Sequence, residues 1–230
     1  MKVKGAIPSL FTGLNLFCGY KAITLMLSGD LTGASWCILF SMIFDMVDGK
    51  IARHLGASSE LGLQLDSICD TVSFGLAPAI LLYTAAFRET GFVLSFVPFI
   101  YLMAVAFRLA RFNIISCETP KDYYLGLSSP SAAAVVISTI LIQENVGIVL
   151  GTQFYIILVL ILAILMTSRI KYPTYKGQRT SESTQTIIIV IALLLVGIFK
   201  YYAIFSISYI YALTGFVNAV SEEIRKRRKK

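Results

Sequence analysis

Long apolar stretches separated by short polar breaks run from one end of the chain to the other. They fall at 7–28, 31–53, 64–87, 92–115, 127–144, 148–168, 184–199 and 201–219. Several approach the roughly 20 residues that a helix needs to cross a bilayer, and the last two are short. In lipid every backbone polar group must be satisfied internally, which a helix achieves within one segment. The pattern predicts an all-α integral membrane protein, a bundle of about eight transmembrane helices. Residues 184–219 could form one overlong helix or two short ones split at Lys200-Tyr201, and cations help to choose. With eight spans, Lys2, Lys4, the 54–63 loop, Lys121, the stretch 169–179 and the basic tail share one side, leaving Arg88 and Lys200 on the other. Seven spans would put the tail on the opposite side. Eight are expected, in a multi-pass protein of the cell membrane with both termini cytoplasmic.

Composition sharpens this picture. Hydrophobic residues make up 57% of the 230 and charged residues 14%, so a single transmembrane domain, 1–230, is expected in place of a soluble domain with an anchor. The opening MKVKGAIPSLF has no clear small-residue cleavage site and reads as part of the mature protein. The net charge of +7 does not point to nucleic acid, because six cations crowd into Arg225 to Lys230. The polar loop 169–185 and the tail 221–230 read as solvated linkers, and the tail also as a topology signal with some affinity for anionic membrane lipids. Cys18, Cys37, Cys69 and Cys117 are scattered without metal spacing or a disulfide framework, and His54 is the only histidine.

Against this apolar background stand Asp45, Asp48, Asp66 and Asp70. A single Asp at the centre of a spanning helix costs roughly 2.5–3.5 kcal/mol on insertion scales. Four together also repel one another, whereas two divalent cations would cancel their charge. The predicted orientation puts all four on the inner side. Asp30, in the outer turn Ser28-Gly29-Asp30, reads as a turn residue only.

Positions 45, 48, 49, 52 and 53 follow one face of a helix, carrying Asp45, Asp48, Gly49, Ala52 and Arg53. Positions 62, 66, 70, 73 and 77 do the same on the next helix with Gly62, Asp66, Asp70, Ser73 and Ala77. A short loop makes the two helices antiparallel, so these faces can oppose each other. Gly49, Ala52 and Gly62 leave room for a ligand or a neighbouring backbone, and Arg53 supplies a cation suited to phosphate. Carboxylate ligands without His or Cys indicate hard cations, Mg²⁺ or Mn²⁺, with Ca²⁺ also compatible. Two such ions can clamp a pyrophosphate for in-line displacement at phosphorus, while a free carboxylate takes a proton from an attacking hydroxyl. A divalent cation transporter would also place carboxylates in the membrane.

The stretch from Asp45 to Asp70 reads D-x-x-D-G-x-x-A-R-x8-G-x3-D-x3-D. It resembles the signature of the CDP-alcohol phosphotransferase family with every fixed position filled. The resemblance implies that family's fold and the transfer of a substituted phosphate from a CDP-linked donor to an alcohol, with CMP leaving. It implies that Asp45, Asp48 and Asp66 hold two metal ions and that Asp70 is the base, with a share in coordination. Asp48, Gly49, Ala52, Arg53, Gly62 and Asp66 would line the CDP site. A homodimer is the family's precedent. The Gly49, Ala52, Arg53 and Gly62 pattern counts against the transporter, since an arginine beside the carboxylates repels a passing metal ion.

Other stretches are similar to the serine-accepting branch of that family. They include Ile7-Pro8-Ser9-Leu10-Phe11-Thr12, Asn15-Leu16-Phe17-Cys18-Gly19 and Gln64-Leu65-Asp66-Ser67, then Ser73-Phe74-Gly75 with Ala77-Pro78. Phe107-Arg108-Leu109-Ala110-Arg111-Phe112-Asn113 and Gly126-Leu127-Ser128-Ser129-Pro130 follow. The implied reaction joins CDP-diacylglycerol, or an ether-lipid analogue, to L-serine and releases CMP. Arg108 and Arg111, with Asn113 nearby, are the candidates for serine's carboxylate, although snorkelling arginines at a helix end are as common. Thr12 and Asn15 could meet the nucleotide or make interhelical hydrogen bonds. Lys21 could meet a donor phosphate or rise to an interface, and Pro78 reads as a kink. Glycerol phosphate and inositol phosphate are the alternative acceptors, though each would ask for a denser cationic pocket.

Overall fold

The computed structural model describes residues 3–55, 60–116, 123–173 and 199–227. Among these the chain is a helical bundle: α1 Val3–Leu27, α2 Leu31–Leu55, α3 Glu60–Phe87, α4 Val97–Ser116, α5 Ser129–Val146, α6 Thr152–Thr167 and α7 Tyr201–Arg227. Ser9–Leu27, Leu31–Ile51, Glu60–Phe87 and Leu94–Ile114 are long and apolar enough to cross a membrane, and Thr152–Thr167 is a shorter apolar helix. The helix expected at 184–199 lies, but for Phe199, outside the described residues, as does Lys121. A boundary stands at Lys200, where φ is 46°, so a single helix does not run through that position.

The all-α reading holds for the bundle, to which one short antiparallel ribbon is added, β1 Tyr123–Leu125 paired with β2 Lys171–Pro173. Three residues a side carry too little alternation to stand out in a sequence. The tail expected to be a linker from residue 221 instead continues α7 through Arg227.

Large apolar side chains cover the outside, and a group of polar ones is buried. Phe17, Phe40, Phe99, Phe107, Ile157, Ile164 and Ile210 are exposed, while Thr12, Asn15, Asp48, Asp70, Ser73, Arg108 and Ser129 are buried. In water that arrangement would be costly on both counts, and in lipid it is the favoured one. An apolar core of Ala22, Ala34, Ile38, Phe74, Leu81, Tyr101, Val105 and Ile137 joins α1 to α5 beside the polar interior.

The tight turn after α1 follows from its residues. Gly29 takes φ +84°, which ends α1, and Asp30 caps α2 by accepting from the Gly33 N–H at 2.7 Å. Asp30 is thus a helix cap as well as a turn residue. The result is an antiparallel pair that brings the start of α1 level with the end of α2.

α3 carries the local feature that matters most for the site. Its α-helical turns over Glu60–Asp70 widen to a π-helical stretch over Thr71–Leu76, then tighten again over Ala77–Leu82. Pro78 supplies a reason. Without an N–H it cannot bond the carbonyl four residues back, that of Phe74, and its ring crowds the same carbonyl. The Tyr101 hydroxyl of α4, fully buried, donates to that Phe74 oxygen at 3.0 Å, and the Ala77 N–H reaches back to the Val72 carbonyl. Tyr101→Phe keeps the ring but strands a buried carbonyl, at a cost of about 1–3 kcal/mol. A lowered melting temperature of the detergent-solubilised protein is the expected result, and an unchanged one would assign the bond no role.

Candidate active site

The four aspartates gather at one end of the bundle. Asp45 and Asp48 are one turn apart near the end of α2, and Asp66 and Asp70 are one turn apart near the start of α3. Carboxylate oxygens from Asp45, Asp48 and Asp66 all lie within 4.8 Å of one another. Asp70 is buried beside them, with its carboxyl in hydrogen-bonding reach of Asp45. At such separations each like-charge pair repels by on the order of 3–4 kcal/mol at an effective dielectric of 20. The cluster therefore calls for positive charge.

α1 lies across the cluster and donates to it. Thr12 Oγ1 gives a hydrogen bond to Asp48 Oδ2 at 3.0 Å, and Asn15 Nδ2 gives one to Asp70 Oδ1 at 3.2 Å. Ser73, in the widened stretch of α3, donates to the Asn15 carbonyl at 3.0 Å. A Cβ at Gly19 would stand 2.5 Å from Ser73 Oγ, so only glycine allows α1 this close to α3. Sequence reasoning offered nucleotide contact or interhelical bonding for Thr12 and Asn15. Among the described residues each makes an interhelical bond to one of the aspartates.

With this geometry in hand, the comparisons with known proteins are decisive. Residues 5–157 match the family model described as CDP-alcohol phosphatidyltransferase. The chain belongs to the CDP-alcohol phosphatidyltransferase family. It is 30% identical over 171 residues to the CDP-diacylglycerol–serine O-phosphatidyltransferase of Helicobacter pylori (strain ATCC 700392 / 26695), covering 74% of this chain and 72% of that one. It is 36% identical over 182 residues to the archaetidylserine synthase of Methanothermobacter thermautotrophicus, covering 77% and 74%. The Bacillus subtilis (strain 168) CDP-diacylglycerol–serine O-phosphatidyltransferase is 32% identical over 170 residues, covering 74% of this chain and 91% of that relative.

The other residues of the family signature surround the cluster unevenly. Gly49 is half-buried on α2 beside Asp48, and Gly62 is exposed one turn before Asp66 on α3. Ala52 and Arg53 continue the α2 backbone, but their side chains lie outside the described residues. Lys21 is exposed on α1 beyond Gly19 and lies near enough to Cys37 to act on it electrostatically.

Arg108, Arg111 and Asn113 of α4 have three different surroundings. Arg108 is buried, donates to Ser129 Oγ at 2.7 Å, and sits close enough to Asp45 to act on it electrostatically. Arg111 donates to the carbonyls of Thr167, Leu125 and Ser168 at 2.8, 3.2 and 3.0 Å. Its guanidinium thereby caps the end of α6 and ties it to β1, an employment at odds with the expected contact to a free carboxylate. Five donors in a rigid fork suit such a junction, and the residues that close it come from distant sequence. Asn113 Nδ2 donates to Ser67 Oγ at 2.9 Å, fastening α4 to α3 next to Asp66.

Sequence reasoning missed Ser67, Ser129 and Tyr101 as partners. Ser67 and Ser129 carried a usable signal, in Gln64-Leu65-Asp66-Ser67 and in Gly126-Leu127-Ser128-Ser129-Pro130. There Gly126 adopts φ +77°, a Cβ on it would meet the Met166 carbonyl, and Ser128 caps α5 by accepting from the Ser131 N–H at 3.3 Å. The loop thus delivers Ser129 to Arg108.

The donor set fits a divalent metal. Asp45, Asp48 and Asp66 offer carboxylate oxygens, which suit hard cations, and Asp66 Oδ1 is buried with no hydrogen-bond partner among the described residues. A buried acceptor left bare in this way is what a metal ion would satisfy.

Proposed function

We propose that the protein transfers a phosphatidyl group from CDP-diacylglycerol, or its ether-lipid counterpart, to the hydroxyl of L-serine, giving phosphatidylserine and CMP. The observation that carries the chemistry is the convergence of Asp45, Asp48 and Asp66 within 4.8 Å with Asp70 buried beside them. Serine as acceptor draws its support from the names of the relatives, and the donor's tail from the same source, since one of them is an archaetidylserine synthase.

In the proposed mechanism Asp45, Asp48 and Asp66 would hold two Mg²⁺ or Mn²⁺ ions, with Asp70 sharing in their coordination. Bound there, the ions would neutralise charge on the donor's pyrophosphate oxygens. Asp48, Gly49, Ala52, Arg53, Gly62 and Asp66 line the CDP site, small residues allowing close approach and Arg53 answering a phosphate. Thr12 orients Asp48 through its hydrogen bond. Asp70 takes the proton from the serine hydroxyl as that oxygen bonds to the phosphorus carrying the lipid. The bond from this phosphorus to the bridging oxygen breaks, and its electron pair leaves with CMP. Arg108 meets serine's carboxylate, while Arg111 and Asn113 hold the α4 end in position.

The site faces the cytoplasm in this proposal, along with both termini, so the cytidine end of the donor stays in water and its tails in lipid. The excess of cations on the side of the α2–α3 loop, which carries the aspartates, supports that placement. A homodimer, implied by the family resemblance, completes the proposal.

The test is to incubate purified full-length protein with CDP-diacylglycerol, Mn²⁺ and a panel of alcohols, and to measure CMP. Release with L-serine alone is expected. Release only with glycerol phosphate or inositol phosphate would reassign the acceptor, and none with any alcohol would remove the enzyme class. Arg108→Gln is expected to raise the KM for serine by roughly 10- to 100-fold, the worth of a hydrogen bond to a charged group. An unchanged KM would rule out contact with the carboxylate.

A further inference from the structure

Asn15 is fully buried, and its side chain is only half satisfied. Nδ2 donates to Asp70 Oδ1, whereas Oδ1 is buried with no hydrogen-bond partner among the described residues. A buried acceptor in that condition is costly unless a donor reaches it. The amide cannot turn over without setting Oδ1 against a carboxylate oxygen. Nor can the backbone withdraw, because Ser73 holds the Asn15 carbonyl and Gly19 packs directly on Ser73. Oδ1 is therefore a fixed acceptor, attached to the same carbon as the nitrogen that binds Asp70.

The chemistry of the acceptor matches this pairing. In serine the hydroxyl and the ammonium sit on adjacent carbons. When the hydroxyl is turned to Asp70, the ammonium falls beside whatever group adjoins Asp70, and the carboxylate is left for Arg108. We propose that Asn15 determines specificity for the acceptor alcohol, its Oδ1 accepting a hydrogen bond from the ammonium of a 1,2-amino alcohol whose hydroxyl addresses Asp70. This rests on the proposed function above and adds to it a residue that distinguishes an amino alcohol from other alcohols.

The probe pair is L-serine and 3-hydroxypropionate, which keeps the hydroxyl and the carboxylate and lacks the amine. Affinities are measured by calorimetry on the full chain with Mn²⁺ and CMP, so no variant has to turn over. Wild type is expected to prefer serine, and Asn15→Leu, close in shape, to lose roughly 10- to 100-fold of that preference, the worth of a charge-assisted hydrogen bond. Loss of the Asn15–Asp70 bond weakens both ligands alike and cancels in the ratio. Asn15→Asp keeps an oxygen acceptor and is expected to hold or increase the preference even as CMP release slows. Equal affinities in wild type, an unchanged ratio in Asn15→Leu, or a collapsed ratio in Asn15→Asp would each overturn the assignment. Failure of wild type to release CMP with serine would instead remove the proposed function, so the two failures are separable.

Discussion

Asp70→Asn is expected to reduce CMP release by at least about 10²- to 10⁴-fold, the range that a positioned general base supplies. Donor binding should survive, because the oxygens of Asp45, Asp48 and Asp66 form their cluster without Asp70. The substitution is nearly isosteric and leaves an oxygen for Asn15 Nδ2, so the α1–α3 contact is retained. Turnover with CDP-diacylglycerol and serine, beside binding of the CDP-lipid alone, checks both halves. Near-normal turnover would take the role of base away from Asp70. Loss of donor binding together with turnover would make it chiefly a ligand.

Asp66→Asn should act differently. Asp66 is the one residue of α3 within the three-carboxylate cluster, and its Oδ1 is buried without a hydrogen-bond partner among the described residues. Replacing one charged ligand by an amide weakens a hard-cation site, since carboxylates are the preferred donors. The expected result is a Mn²⁺ titration of CMP release moved to concentrations about 10- to 100-fold higher, as for losses in and around metal sites. The maximal rate should fall too. A metal titration indistinguishable from wild type would count Asp66 out as a ligand.

Much of the fold was legible because its signals are local. Apolar length marks α1 to α4, and the spacing of Asp45, Asp48, Asp66 and Asp70 puts each pair on one helical face, whereas Asp30, read as a turn residue only, also caps α2. The contacts across the bundle were not legible in the same way. That Arg111 would be drawn to Thr167, Leu125 and Ser168, more than ten residues from it in each case, depends on how α6 and β1 meet α4. Thr12 and Asn15 were flagged from one helix, but their partners lie 36 and 55 residues away. Periodicity reports a face and not what it faces. The widening of α3 had a signal in Pro78, yet a kink was the ordinary expectation and the π-helical turn held by Tyr101 is the outcome. Such turns are frequent at functional sites, and this one starts at the residue after Asp70.

The central claim is that the aspartate cluster works by holding divalent cations against a CDP-activated lipid. Its most direct measurement is CMP release by the purified full-length protein, with CDP-diacylglycerol and L-serine, after treatment with a chelator and again after Mn²⁺ or Mg²⁺ is returned. Release is predicted to stop with the chelator and to recover with the metal. Release that continues undiminished in excess chelator would contradict the claim.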